Sequence, residues 1–207
     1  MYSAILGVLP EYQTTGIGYR LKLAQREFAL RIGVRLIVWT YDPLESRNAH
    51  FNIVKLGIIC NSYLRNFHGE FGGINFGLPT DRFYVEWWVT SNRVQNRVSR
   101  KRSSINLEGF MGGGAVLINE SPRNDQGFPV PPDIFDTIDN RLLLVEIPSN
   151  MQIIKELDPT LAQTWRQHTR LLFEQYFIDG YLVTDFVREQ SESGDRSFYV
   201  LTRMDQG

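Results

Sequence analysis

The pattern of apolar and polar positions predicts alternating strands and helices over the first 90 residues. An apolar run at residues 2–9 ends at Pro10, which predicts a strand. Residues 17–32 have apolar side chains at helical spacing, and Gly33 stands where a left-handed helix end is expected. Residues 34–40 form a continuous apolar run rich in β-branched residues, which predicts a strand buried on both faces. The apolar positions of the predicted helix are Ile17, Leu21, Ala24, Phe28 and Ile32.

A second helix is predicted over residues 46–55, with Ser46 as its N-cap and Gly57 at its end. Residues 58–64 and 83–89 are further strands. Strands that alternate with helices in this order are typical of parallel β-α-β units. We therefore expect a partly parallel sheet flanked by helices in this region.

The last third of the chain predicts the order β-α-α-β-β. A strand at residues 142–147 is followed by a short helix at 151–157, and Asp158 then caps a longer helix that begins at Pro159. Two strands at 181–188 and 197–203 complete this part as a hairpin. Residues 91–140 between the two ordered parts combine a basic stretch with glycine- and proline-rich segments, which indicates a long connection. The predicted regions are thus 1–90, 91–140 and 141–207.

Composition excludes several classes of protein. The net charge is −1, so no field of the whole chain attracts nucleic acid or an anionic membrane. The single cysteine, Cys60, excludes an internal disulfide and a cysteine-rich zinc site, and its apolar neighbours predict a core residue. The three histidines show no metal-ligand spacing. No apolar run approaches the roughly 18 residues that span a bilayer, and we expect a cytoplasmic protein with neither nucleic-acid nor membrane partner.

The segment that indicates chemistry is Gln13-x-x-Gly16-x-Gly18, between a predicted strand and a predicted helix. A glycine-rich turn at a helix N-terminus directs several backbone N–H groups at one point, and the helix dipole adds partial positive charge there. Such a turn suits a pyrophosphate. A dinucleotide fold would need a third glycine and a P-loop would need Gly-Lys-Ser/Thr, and neither is present.

The residues around this turn resemble the acyl-coenzyme A (acyl-CoA) loop of the GNAT superfamily of acyltransferases, whose signature is Gln/Arg-x-x-Gly-x-Gly/Ala. Further motifs resemble one incompletely characterised bacterial branch of that superfamily, over most of residues 2–89 and 142–201. The motifs are Val8-x-Pro10-x-Tyr12-Gln13-x-x-Gly16-Ile17-Gly18, Thr40-Tyr41-Asp42-Pro43-Leu44, Arg47-Asn48-Ala49-His50-Phe51-Asn52, Lys55-Leu56-Gly57, Gly77-Leu78-Pro79-Thr80-Asp81-Arg82, Val145-Glu146-Ile147-Pro148, Trp165-Arg166 and Val183-Thr184-Asp185-Phe186.

The resemblance implies a GNAT-like α/β (α+β) fold with a C-terminal extension, and transfer of an acetyl, succinyl or similar group from acyl-CoA to a small amine such as an amino acid. No metal is implied. The first predicted strand would offer backbone groups to the pantetheine and the thioester oxyanion, the turn would hold the pyrophosphate, and Asn48 would contact the pantetheine. The implied cofactor-binding residues are Leu6, Gly7, Val8, Gln13, Thr14, Thr15, Gly16, Ile17, Gly18, Tyr19 and Asn48.

Two departures from the family pattern limit the expectation. The family's acid is a tyrosine four residues before the glycine that closes the second helix, and Ile53 stands at that position. The family also begins with β-α-α-β-β before the strand that starts here at Tyr2, and we expect these elements to be missing. The C-terminal third has the same order, so it could replace them as a permuted half or exchange between the subunits of a homodimer. The plainer interpretation makes it the branch's own extension.

Four residues are candidates for acid–base chemistry, and each also has a structural interpretation. Asp42 is a base at a strand end or an Asp-Pro turn residue. Glu86 faces either an acceptor amine or solvent. His50 and Asn52 are near the position of the absent tyrosine. The basic residues at 93–102 form a solvated loop, or contact the 3′-phosphate of CoA or an acidic partner. The alternative function is a non-catalytic CoA-binding or assembly protein derived from a truncated GNAT enzyme.

Overall fold

One mixed sheet contains every strand of the described chain. The computed structural model describes residues 1–13, 15–69, 78–99, 101, 104–135, 137–190 and 194–203. Across the seven-stranded sheet the order is β1-β3-β2-β6-β7-β5-β4, and neighbours are antiparallel except for the pair β4 and β5. The strands are β1 (Leu36–Tyr41), β2 (Ile59–Leu64), β3 (Arg82–Trp88), β4 (Val116–Leu117), β5 (Leu142–Ile147), β6 (Tyr181–Glu189) and β7 (Arg196–Arg203).

The helices predicted from the periodicity of the sequence are present, and two further short helices, α3 and α4, lie within the segment 91–140 that was predicted to be a connection. Asp158 caps the longest helix through a bond from the Leu161 N–H, and Pro159 is its first residue, as predicted. The second predicted helix is present, but it continues from an α-helical turn into a π-helix at His50–Leu56. A 3₁₀ turn occupies Pro10–Tyr12. The α-helices are α1 (Ile17–Arg31), α2 (Ser46–Ala49), α3 (Asn92–Val98), α4 (Leu107–Gly112), α5 (Met151–Leu157) and α6 (Pro159–Ile178).

The prediction of a strand at residues 2–9 is wrong. Tyr2 forms a single parallel bridge to Val38 on β1, and Ser3 donates its N–H to the Val38 carbonyl at 2.8 Å. Beyond Ser3 the segment is irregular, and the Ile5 side chain is 91% exposed. A strand is stable only when an apolar face packs on another layer, and no described element covers these side chains.

The prediction of neighbouring parallel β-α-β strands is also wrong. β3 lies between β1 and β2 and is antiparallel to both, so β1 and β2 point the same way without touching along their length. The alternating burial of β3 explains its central place: Phe83, Val85 and Trp87 are fully buried on one face. Ser46 is not the N-cap predicted for the second helix, because the cap is Glu45, and the Ser46 hydroxyl bonds that of Ser197 at 2.8 Å instead.

The apolar stripe of α1 faces solvent in the described structure, although such a stripe ordinarily faces a core. Phe28 is 49% exposed and Ile32 is 55% exposed. The buried positions of the helix are Lys22 and Ala29. The Lys22 ammonium lies 3.7 Å from the ring centroid of Trp39 on β1, so a cation–π contact helps to attach the helix to the sheet.

The C-terminal third joins the sheet at the edge of β2, through the residue pair Cys60 and Val183. This edge is on the far side of the sheet from Tyr2, which bridges to β1. The strands of the C-terminal third therefore do not occupy the position beside residues 2–9 that a permuted replacement requires. α6 covers the junction between the two parts, because the ring of its Phe173 meets that of Phe83 at 4.7 Å.

Candidate functional site

The glycine-containing turn predicted to bind a pyrophosphate lies at the N-terminus of α1. Gly16 is the N-cap residue, with φ of 85°, a left-handed conformation that favours glycine, and it has no side chain that could cap the helix. Gln13 donates from Nε2 to the Val8 carbonyl at 3.2 Å, and the Thr15 hydroxyl donates to the Tyr12 carbonyl at 2.6 Å. These two bonds shape the turn, and neither uses the first N–H groups of α1, which are the groups that bind anions at a helix N-terminus.

This turn forms one wall of a cleft of about 570 Å³, and the segment from α2 into the π-helix forms the other. The cleft brings together most of the residues that the resemblance implied for the cofactor. Gly7 and Thr15 do not line it, and Thr14 lies outside the described residues. The predicted residues that line it are Leu6, Val8, Gln13, Gly16, Ile17, Gly18, Tyr19, Asn48 and His50.

Three cationic side chains, Arg47, Lys55 and Arg188, also line the cleft and were missed by the sequence analysis. Arg188 comes from β6, so only the sheet topology brings it near the turn. The basic residues at 93–102 have other partners: Arg93 donates to the Gly57 carbonyl at 2.9 Å, and Arg97 pairs with Asp185 at 2.6 Å. Arg100 and Arg102 lie outside the described residues.

His50 begins the π-helix and lines the cleft. Burial lowers the pKa of its imidazole, and the nearby Lys55 and Arg188 lower it further. The ring is therefore neutral at pH 7 and has a free lone pair for a proton.

Asp42 does not line the cleft, because it belongs to a buried ion pair. Its carboxylate accepts two bonds from the Arg166 guanidinium, at 2.8 and 2.6 Å, and Arg82 lies 3.5 Å away. Oδ1 also accepts the Leu44 N–H at 2.9 Å, which is the turn that the Asp-Pro sequence indicated. These contacts favour the structural interpretation of Asp42.

Asn52 and Glu86 also lie away from the cleft lining. Asn52 is buried within the π-helix, and its backbone carbonyl accepts the Ile58 N–H at 3.2 Å. Glu86 is on β3, where its carboxylate accepts the Trp88 indole N–H at 2.7 Å. Neither contact positions these side chains for chemistry with a ligand in the cleft.

Glu45 is the functional candidate that the sequence analysis missed. It follows β1, lines the cleft, and also lines a second cavity of about 540 Å³. Burial raises the pKa of its carboxyl group, and the charge of Asp42 adds to this effect. The signal that could have found it is its place after a strand's carboxyl end, where open α/β sheets bind ligands.

Two groups that could act as nucleophile or acid are engaged in the core. Burial raises the pKa of the Cys60 thiol, which is 2% exposed, so the predicted core role of this residue is confirmed. The Tyr63 hydroxyl donates to Asp81 Oδ2 at 2.8 Å, and burial raises its pKa as well. Neither side chain lines the cleft.

Among the residues that the structure describes, no group of three or more His, Cys, Asp or Glu side chains is arranged to hold a metal ion. No helix in the described ranges is long and apolar enough to cross a membrane. The chain matches no protein-family model, no curated protein and no solved structure.

Proposed function

We propose that this chain is an N-acyltransferase that binds acyl-CoA in the cleft and transfers the acyl group to a small amine such as an amino acid. The observation that carries the proposal is that the turn at residues 10–18 and the helix beginning at Ser46 meet across one cleft. These are the two segments with the strongest resemblance to the GNAT superfamily, and they are not neighbours in sequence.

The chemistry of the cleft fits a coenzyme A ester. The N-terminus of α1, where the N-cap residue is Gly16, provides N–H groups and partial positive charge for a pyrophosphate. Arg47, Lys55 and Arg188 add the positive charge that a ligand with several phosphates needs. The apolar side chains of Leu6, Val8 and Phe51 suit the pantetheine arm.

The backbone beside the cleft supports the same proposal. The contact of the N-terminal segment with β1 ends at Ser3. Among the described residues, no neighbouring strand therefore pairs with the N–H and C=O groups of residues 4–8. An extended ligand chain can add to such a segment as a strand would. The pantetheine arm carries two amide groups that match this geometry.

An acyl-CoA supplies a thioester carbonyl and a thiolate leaving group. The chain's own groups would then hold and move protons: neutral His50 and the carboxylate of Glu45 both line the cleft and are the candidates to accept one from the attacking amine. Ile53, at the position of the family's tyrosine, has no proton to give. The thiolate would therefore take its proton from solvent at this open cleft or from a group in the second cavity.

The second candidate is a CoA-binding or assembly protein without catalysis. The apolar side chains exposed near the cleft favour it, with Ile5 at 91% and Leu9 at 63% exposure. The absence of a hydroxyl at Ile53 favours it as well. Release of free CoA thiol in the presence of amines separates an enzyme from a binding protein.

The first test is thermal unfolding with and without 1 mM acetyl-CoA or succinyl-CoA. A ligand at a hundred times its dissociation constant stabilises the folded state by about 2.7 kcal/mol. For a chain of this size we expect a rise in Tm of roughly 5–10 °C. Lys55→Glu should abolish most of the rise, because Lys55 is exposed in the cleft and its reversal opposes the phosphates.

Arg31→Glu is the matched control, because Arg31 is exposed at the other end of α1 and should leave the rise intact. A cooperatively unfolding protein whose Tm is unmoved by either ester would contradict the proposal.

A further inference from the structure

The second cavity, of about 540 Å³, adjoins the cleft. Glu45, Arg47 and Arg188 line both spaces. Cavities of this volume are within the roughly 300–1,000 Å³ range of small-molecule sites. The second cavity therefore has room for a separate small molecule beside whatever occupies the cleft.

The lining of the second cavity combines an apolar wall with cationic groups. Phe128, Met151 and Ile154 contribute apolar surface, and the latter two are almost completely buried. Arg123 lies at this cavity and does not line the cleft. Its guanidinium donates to the Gly127 carbonyl at 2.8 Å and to the Asp195 carbonyl at 3.3 Å, which holds it at the cavity that Asp195 also lines.

Glu45 stands where the two spaces meet. It is the N-cap residue of α2, but its side chain makes no capping bond. Instead it accepts a bond from Gln152 Nε2, on α5, which holds the carboxylate at the boundary. Asp42, Lys155 and Arg166 are the charged groups that act on it, and its raised pKa makes it a better proton acceptor than an ordinary carboxylate.

We propose that the second cavity binds the acyl acceptor as an apolar α-amino acid, with its carboxylate at Arg123 and Arg188, its side chain on the apolar wall and its amine at Glu45. This proposal rests on the proposed acyltransferase function. In the reaction the amine nitrogen forms a bond to the acyl carbon, and the bond from that carbon to sulfur breaks. The α-ammonium group loses one proton to solvent before the attack, a second N–H proton passes to Glu45 and from there to the departing thiolate, and no other reactant is needed.

The position of Glu45 between the two spaces favours it over His50 as the proton acceptor. His50 lines the cleft and does not line the second cavity, whereas Glu45 lines both. An acceptor bound in the second cavity can present its amine to the cleft only past the shared residues. Among those shared residues, Glu45 is the acidic one and the two arginines repel an ammonium group.

The binding test uses a matched pair of product analogues that differ in one charge. N-acetyl-L-leucine and N-acetyl-L-leucinamide are titrated into the full chain by calorimetry, with 1 mM CoA present throughout. We expect the carboxylate to bind at least about tenfold more tightly than the amide, the factor that one charge-assisted contact gives. In Arg123→Gln the preference should shrink, whereas Arg31→Gln, an exposed residue on α1, should keep it. Equal affinities of the two analogues for the unmodified chain would overturn the proposal.

The second measurement is the rate of CoA thiol release from acetyl-CoA with L-leucine. Glu45→Gln should lower kcat at least about 100-fold, which is the effect of removing a general base. The Tm rise with acetyl-CoA should persist in this variant. Glu108→Gln, an exposed glutamate on α4, is the control and should retain full activity.

The outcomes distinguish this inference from the proposed function. No Tm rise with acetyl-CoA overturns both. A normal Tm rise with acetyl-CoA leaves CoA binding in place. The proposed acceptor site is then overturned if Glu45→Gln keeps full activity, or if the unmodified chain transfers the acyl group to no amino acid.

Discussion

The Asp42 carboxylate shows how one side chain can match a catalytic pattern and still be structural. It follows a buried strand, as a catalytic base would, but the Arg166 guanidinium donates hydrogen bonds to both carboxylate oxygens, at 2.8 and 2.6 Å. The Arg166 side chain is 3% exposed, so its charge depends on this partner. The pair connects the β1 end to α6.

We expect Asp42→Asn to lower the free energy of unfolding by about 3–5 kcal/mol, because it leaves the Arg166 charge buried and uncompensated. Urea denaturation measures this loss. The double variant Asp42→Asn/Arg166→Met should recover part of it. A fully stable Asp42→Asn protein that has lost only activity would support the catalytic interpretation instead.

His168 is a buried histidine on α6 that depends on being neutral. Asn119 Nδ2 lies 3.2 Å from its Nε2, and because the amide can only donate, Nε2 must accept. The backbone of Pro132 bonds the other side of the ring. Burial lowers the pKa of His168 to about 4.

This lowered pKa makes stability depend on pH in a defined window. Between pH 6.5 and 4 the unfolded state binds a proton at His168 that the folded state does not, so stability falls as the pH falls. We expect the unmodified chain to lose up to about 3 kcal/mol relative to His168→Gln across that window. Denaturation curves at pH 7, 5.5 and 4.5 for both proteins measure the difference. Parallel pH profiles would refute the assignment.

At the scale of elements, two helices end in glycines that differ in what surrounds them. Gly33 has φ of 75° and Gly57 has φ of 78°, so alanine is strained at both. A Cβ at Gly33 would meet open space, whereas one at Gly57 would lie 3.0 Å from Arg97 Cγ. Arg97 cannot move freely, because it pairs with Asp185.

We therefore expect Gly33→Ala to cost roughly 1–2 kcal/mol of unfolding free energy, from backbone strain alone. Gly57→Ala should cost at least about 1 kcal/mol more, because α3 must shift. Thermal denaturation of the two variants gives the comparison directly. Equal losses would mean that the Arg97 side chain adapts without cost.

The helix α1 shows why an amphipathic pattern alone does not identify the buried face. Its apolar residues Leu21, Phe28 and Ile32 are exposed, whereas Lys22 is 3% exposed. The Lys22 ammonium donates to Ser3 Oγ and Gln25 Oε1, both at 3.1 Å, so its polar atoms are satisfied under the helix. Periodicity predicts that a stripe exists, and the neighbouring layer decides whether it is covered.

At the scale of the whole molecule, the sheet consists of an antiparallel part, β1-β3-β2, and a mixed part, β6-β7-β5-β4, joined by one residue pair, Cys60 and Val183. α6 supplies a further connection: its Arg170 makes two bonds of 2.8 Å to Asp81, whose side chain is completely buried. Arg93 adds bonds from α3 to both Gly57 and Thr184. Packing across the junction should make the two parts fold as one unit.

We predict a single cooperative unfolding transition. Hydrogen exchange followed by mass spectrometry should give β3 and β7 the same urea midpoint, within experimental error. Asp81→Asn should lower both midpoints together, because it removes bonds to Arg170 and Tyr63 at the junction. Two separate midpoints in the unmodified chain would show that the parts fold independently.

The sequence by itself determined most of the elements and the glycine-containing turn. α1, α6 and most strands follow from periodicity, from caps such as Asp158 and from glycine or proline at their ends. These signals are local, because a helix or turn is stabilised by bonds between residues close in sequence. The positive φ of Gly16 is likewise a local signal, because it depends on the residue type at one position of the turn.

Only the tertiary structure decided which elements meet. In the folded chain β3 lies between β1 and β2, and residues 4–9 lie outside the sheet. Asp42 pairs with Arg166, and Glu45 and Arg188 both line the cleft. The physical reason is that long-range contacts form wherever side chains fill space and satisfy charge together. No single segment carries that information, so the candidate acid–base group emerged from the fold.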